Sequence, residues 1–137
     1  MKNTILKTAI LVLQFLLICQ VAKAQDFITT WEVRNASTIS FDAVTTGTVS
    51  YTWQTIPPTA PASGSGTFVG TNVTLTGFPI GTFQNPTVVQ LSIQPNNFES
   101  CRLDPSGSSF GQELVSVNQW GTNVWGSMEA MFAGISG

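Results

Sequence analysis

Apolar and polar residues alternate along most of the chain between Asp26 and Leu103, the period-2 signature of strands with one buried face. In Phe27-Ile-Thr-Thr-Trp-Glu-Val33 the set Phe27, Thr29, Trp31 and Val33 can line one side. The stretch 38–44 groups Ile39, Phe41 and Ala43, and the stretch 48–56 groups Val49, Tyr51 and Trp53. Pro57-Pro58 ends that strand, because proline lacks the N–H that a ladder needs. Residues 59–66, rich in Pro, Ser, Gly and Ala, have little to bury and read as a loop. Strands follow at 67–69, 73–78 and 87–93, the last alternating through Val89, Leu91 and Ile93, with a loop at 79–86. Short strands broken by turn residues predict a mainly β chain, folded as an antiparallel β-sandwich.

The pattern changes near residue 114. Leu114, Val115 and Val117 start as a strand, but Val124, Met128, Met131 and Phe132 fall at i, i+4, i+7 and i+8, one face of a helix. Ser127 suits the N-cap, Glu129 the first turn, and Gly134 a left-handed C-terminal closure. So short a helix needs something to stack against.

The first 24 residues read as a leader. Lys2 and Lys7 precede an uncharged, mostly apolar run over 8–22, and Ala22-Lys23-Ala24 is a small-x-small cleavage site. A retained anchor is the weaker reading, since a span needs about 20 apolar residues. Leu16-Leu17-Ile18-Cys19 imitates a lipid-attachment box, but Ile18 stands where a small residue belongs. Cleavage removes Lys2, Lys7 and Lys23 and leaves Arg34 and Arg102 against seven acids, 2 − 7 = −5. Such a chain has no phosphate-neutralising patch, which excludes nucleic acid as an expected partner. The remaining length suits one modest core, and Cys101, then the only cysteine, reads as a small half-buried apolar residue.

Candidate chemistry is sparse. The chain has no histidine, so it can build neither a Ser–His or Cys–His nucleophile nor a histidine zinc site. The acids are scattered, no Asp-x-Asp-x-Asp loop exists for calcium, and Asp104-Pro-Ser-Gly107 is a turn. No catalytic residue, metal ligand or cofactor site is expected. The remaining candidates are aromatic. Trp31, Tyr51, Trp53, Trp120 and Trp125 can fill a core or form a stacking platform for sugars. Of these Trp53, with Tyr51, is the best candidate for exposed binding, because it stands beside the proline-rich loop.

One further pattern points to a family. Leu114, Trp120-Gly121, Trp125, Ser127-Met128 and Phe132-Ala133-Gly134 match, in order and spacing, a repeat that reads Leu…Trp-Gly…Trp-x-Ser-Met-x-x-x-Phe…Gly. This resembles the first leucine-rich-type unit of BspA-like bacterial surface proteins, whose repeats are also called Mycoplasma-type lipoprotein repeats. Asp26-Phe-Ile-Thr-Thr-Trp31 resembles the opening of such proteins. Ile135-Ser136-Gly137 departs from the Cys-Ser-Asn-Leu ending. The resemblance implies an immunoglobulin- or PKD-like sandwich before the repeats. Relatives carry an Asp-Trp-Gly-Asp-Gly corner where this chain has Trp53-Gln54-Thr55, so no cation role is transferred.

These readings give a signal peptide at 1–24, a β-sandwich domain at 25–110 and a first, incomplete repeat unit at 111–137. The expected protein is secreted or held at the cell surface, is not an enzyme, and binds host or matrix proteins in adhesion. Repeat arrays need roughly three units for a continuous core, so a single unit reads as the edge of a longer array. Its Met128–Phe132 face is then expected to self-associate. A small carbohydrate-binding sandwich, taking surface glycans, and a truncated product without activity are the alternatives.

Overall fold

A computed structural model of the chain describes residues 24–35, 37–103, 112–128 and 131–132. The expected leader as far as residue 23, the expected turn at 104–107, Glu129 and Gly134 lie outside the described residues.

Alternation produces the strands it predicts. Eight strands are described: β1 (Phe27–Val33), β2 (Thr38–Thr45), β3 (Val49–Thr55), β4 (Ser63–Phe68), β5 (Val73–Thr76), β6 (Thr87–Ile93), β7 (Phe98–Arg102) and β8 (Gln112–Gln119). They form two antiparallel sheets, ordered β4-β3-β6-β1-β8 and β5-β2-β7. Phe27, Thr29, Trp31 and Val33 all point inward from β1, and register sets Trp31 against Val89 and Trp53 against Leu91. The sheets share one core. Phe41 of β2 lies edge-on to Phe68 of β4 at 5.7 Å, and Phe98 of β7 meets Phe27 and Phe68, each at 6.0 Å. Inside it, the Trp31 indole Nε1 donates to Thr29 Oγ1 at 2.9 Å, which satisfies the one polar atom of a ring 1% exposed.

Four sequence readings need correction. Residues 63–66, expected in a loop, belong to β4, which pairs with β3 from Gln54↔Ser63 to Val49↔Phe68. Little to bury is the reason they fit: a Cβ on Gly64 would sit 2.7 Å from the Trp53 ring, and one on Gly66 2.6 Å from the Tyr51 hydroxyl. The glycines leave room for aromatic neighbours supplied by β3.

The strand β7 was not expected at all. It closes the smaller sheet through Asp42↔Arg102 and Ala43↔Cys101.

Third, β8, read as the opening strand of a repeat unit, is bonded into the larger sheet. It is the edge of the larger sheet, bonded to β1 with two register shifts. Gln112, at its start, imitates a peptide: its Oε1 accepts from Ser40 N at 2.5 Å and its Nε2 donates to Ser40 O at 2.6 Å. The amide thus ties β8 to the smaller sheet.

Fourth, no helix is found among the described residues of 124–132. Instead the segment runs beside β7: Gly126 N donates to Glu99 O at 2.9 Å, and Leu103 N to Met131 O at 2.9 Å. Backbone groups that an isolated helix would pair internally are bonded to a sheet edge. The helical spacing marks no common face either, since Met131 is buried at 1% whereas Val124 is 90% exposed.

Candidate functional site

The sequence stretches at 26–31 and 114–134, far apart along the chain, meet at one end of the molecule. β8 runs to Gln119, and the chain then turns at Trp120-Gly121. Gly121 has φ +73°, and a Cβ there would come within 2.8 Å of Gln25 O, so the turn requires glycine on both counts. Thr122 N donates to Gln25 O at 3.0 Å and Asn123 Nδ2 to Phe98 O at 2.9 Å, fixing the turn against β1 and β7.

Five aromatic rings then stack. Phe27 is the centre: it lies 5.1 Å edge-on to Trp125, 5.9 Å from Trp120 and 6.0 Å from Phe98. Trp120 adds edge contacts to Trp125 at 6.3 Å and to Phe132 at 6.0 Å. Edge-to-face pairs at such separations add about 0.5–1.5 kcal/mol beyond burial. The cluster is closed on the inside and open outside: Trp120 and Phe132 are about two-fifths exposed, Met128 half exposed and Val124 almost fully. An open groove of about 560 Å³ lies beside Val124, walled by Pro95, Asn97, Glu99 and Thr122. Among the described residues Glu99 is the one ionisable group in its wall, beside the amides of Asn97 and Asn123.

The other repeat-motif residues divide. Leu114 and Trp125 are partly buried against the core, whereas Ser127 and Met128 are exposed. The sugar-platform candidates do not converge. Trp31, Tyr51 and Trp53 are all buried inside the sheets, so Trp53 is not the exposed aromatic its neighbouring prolines suggest. Strand parity had already placed it with Val49 and Tyr51. Phe27 and Phe98, which seat the cluster, carry no site signal in the sequence, Phe98 because β7 lacks a simple alternation.

Cys101 is buried, and burial pushes its thiol up to about 12. Native protein is therefore expected to resist iodoacetamide at pH 8, with modification appearing only on unfolding. Because the unfolded thiol ionises near 9.0 and the folded one near 12, stability falls as pH rises between them. A fast native reaction at pH 8 would show an accessible thiolate and overturn this.

Among the described residues, no three acid or thiol side chains group as metal ligands, and no helix is long and apolar enough to cross a membrane. Comparison of the chain with protein-family models, curated proteins and solved structures returns no match.

Proposed function

We propose that the chain is a non-catalytic, exported surface protein of the BspA-like kind, binding host or matrix proteins in adhesion. In this reading the two sheets are an immunoglobulin- or PKD-like sandwich that carries a leucine-rich-type repeat segment on its end. One observation carries it: Phe27, from the opening motif, is the ring against which Trp120 and Trp125 of the repeat motif pack. Two stretches singled out independently in the sequence thus support each other in space. The outer side of the same cluster leaves apolar surface open at Val124, Met128 and Phe132, as interaction sites do. A chain without histidine and with scattered acids fits binding better than catalysis.

The test is surface plasmon resonance over a panel of immobilised extracellular-matrix proteins. Wild type is compared with the double variant Val124→Ser, Phe132→Ser, which alters only exposed positions. Saturable binding lost at least tenfold in the double variant is the expected result. No binding to any matrix protein, together with a shift in tryptophan emission on titrating soluble glycans, would favour the carbohydrate-binding alternative. Trp120, the most exposed tryptophan among the described residues, would then be the reporter.

A further inference from the structure

The two edges of the larger sheet are not alike. β8 is broken by two register shifts and carries Glu113, both devices that discourage strand addition. β4, at the opposite edge, has an unbroken register and contains no charge and no proline.

The ladder fixes which groups of β4 face outward. Thr55 N donates to Ala62 O at 2.9 Å, so by antiparallel alternation the bonded pairs are Trp53↔Gly64, Tyr51↔Gly66 and Val49↔Phe68. The N–H and C=O groups of Ser63, Ser65 and Thr67 therefore point away from β3, and no hydrogen bond reaches them among the described residues. All three residues are exposed.

Beneath this edge lie two unpartnered polar atoms. Trp53 and Tyr51 are 7% and 8% exposed, and their rings run under Gly64 and Gly66. Trp53 Nε1 and Tyr51 Oη, the atoms that meet those glycines, have no hydrogen-bond partner among the described residues. Neither is a buried orphan, so solvent reaches both atoms at this edge.

We propose that the β4 edge binds the β4 edge of a second copy of this chain, antiparallel about a two-fold axis at Ser65, joining two five-stranded sheets into one. The strand is self-complementary under this operation. Ser65 faces Ser65, Ser63 faces Thr67, and Gly64 faces Gly66, so hydroxyls align on the outer face and glycines on the inner. Opposed glycines leave the space that four aromatic rings from the two copies require. Charge also favours a like partner here. No charged residue occurs between Asp42 and Glu99, so β3, β4 and β6 carry no charge of their own, and the acid bonded to them is Asp26, whose carboxylate accepts from Ser92 Oγ of β6 at 2.6 Å. The same two-fold brings Val69, 68% exposed, opposite Pro61 of the other copy.

Ser65→Pro is the discriminating variant. It removes one outward N–H and no ladder bond to β3, so the fold is retained, as circular dichroism checks. Sedimentation equilibrium of the full chain across a thousandfold concentration range should show a monomer–dimer equilibrium, with the association constant reduced at least tenfold by Ser65→Pro. Ser65→Lys, which keeps the N–H but adds like charges at the axis, should weaken it as well. A strict monomer throughout would overturn the proposal. So would a dimer that survives both variants but dissociates in Val124→Ser, Phe132→Ser, which would move self-association to the repeat-motif face.

Discussion

Replacing Gly81 by alanine is expected to destabilise the fold by about 3 kcal/mol or more, the upper range for overpacking. Gly81 is buried, and its backbone is used on both sides: it forms a parallel bridge with Arg34, and its carbonyl accepts from Asn35 N at 2.9 Å. A Cβ would meet Val33 O at 2.5 Å and Pro86 C at 2.8 Å, with Thr87 N closer still. These atoms belong to the end of β1 and the entry of β6, neighbours in the larger sheet, so none can retreat like the tip of a side chain. The 79–86 loop would have to lift off, taking the start of β6 with it. Urea unfolding measures this as a lower midpoint at unchanged slope. Gly70→Ala is the control. Its φ of +86° makes alanine strained, but nothing lies within 4 Å, so its cost should stay near 1 kcal/mol. Equal midpoints for the two variants would show that the Gly81 clash is relieved by local motion.

Strand faces were legible wherever burial is written in side chains. The inward sets of β1, β2, β3 and β6 follow from parity alone, and each is buried as that parity requires. β4 was illegible because its inward positions at 64 and 66 are glycines, which carry no hydropathy. The information sits in Trp53 and Tyr51, on the strand across from it. β7 presents Phe98 and Cys101 inward, three apart, so no alternation announces it. The C-terminal stretch misled in the opposite sense. Spacing of i, i+4, i+7 is necessary for an amphipathic helix but says nothing about competing backbone partners, and here Glu99 O and Leu103 N win those groups. A sheet edge left open by β7 overrides a short helix of marginal intrinsic stability. The same tertiary competition explains the candidate site. Trp120 and Trp125 were legible as a motif, but their seat on Phe27 and Phe98 depends on how two sheets meet.

Phe27→Ala is expected to cost about 3–5 kcal/mol and, beyond that, to release the segment that follows β8. Phe27 is fully buried, so its loss leaves a cavity the size of a ring between the sheets. Phe41→Ala provides the comparison. It is buried to 1%, has the same chemistry and also touches the shared core, but its ring partner is Phe68 on β4 rather than the tryptophans. The two variants should therefore lose similar global stability. They should differ locally, because only Phe27 holds Trp120 and Trp125. Limited proteolysis below the unfolding transition separates the effects. Phe27→Ala should be cleaved between residues 120 and 132 much faster than Phe41→Ala, with tryptophan emission shifted to the red as the indoles gain water. Each lost ring contact is worth only about 0.5–1.5 kcal/mol, but two are lost together, and the turn's hydrogen bonds to Gln25 and Phe98 cannot by themselves exclude water from an indole. Equal cleavage and equal emission in both variants would mean that backbone bonds to β7, not the aromatic seat, hold the repeat-motif segment in place.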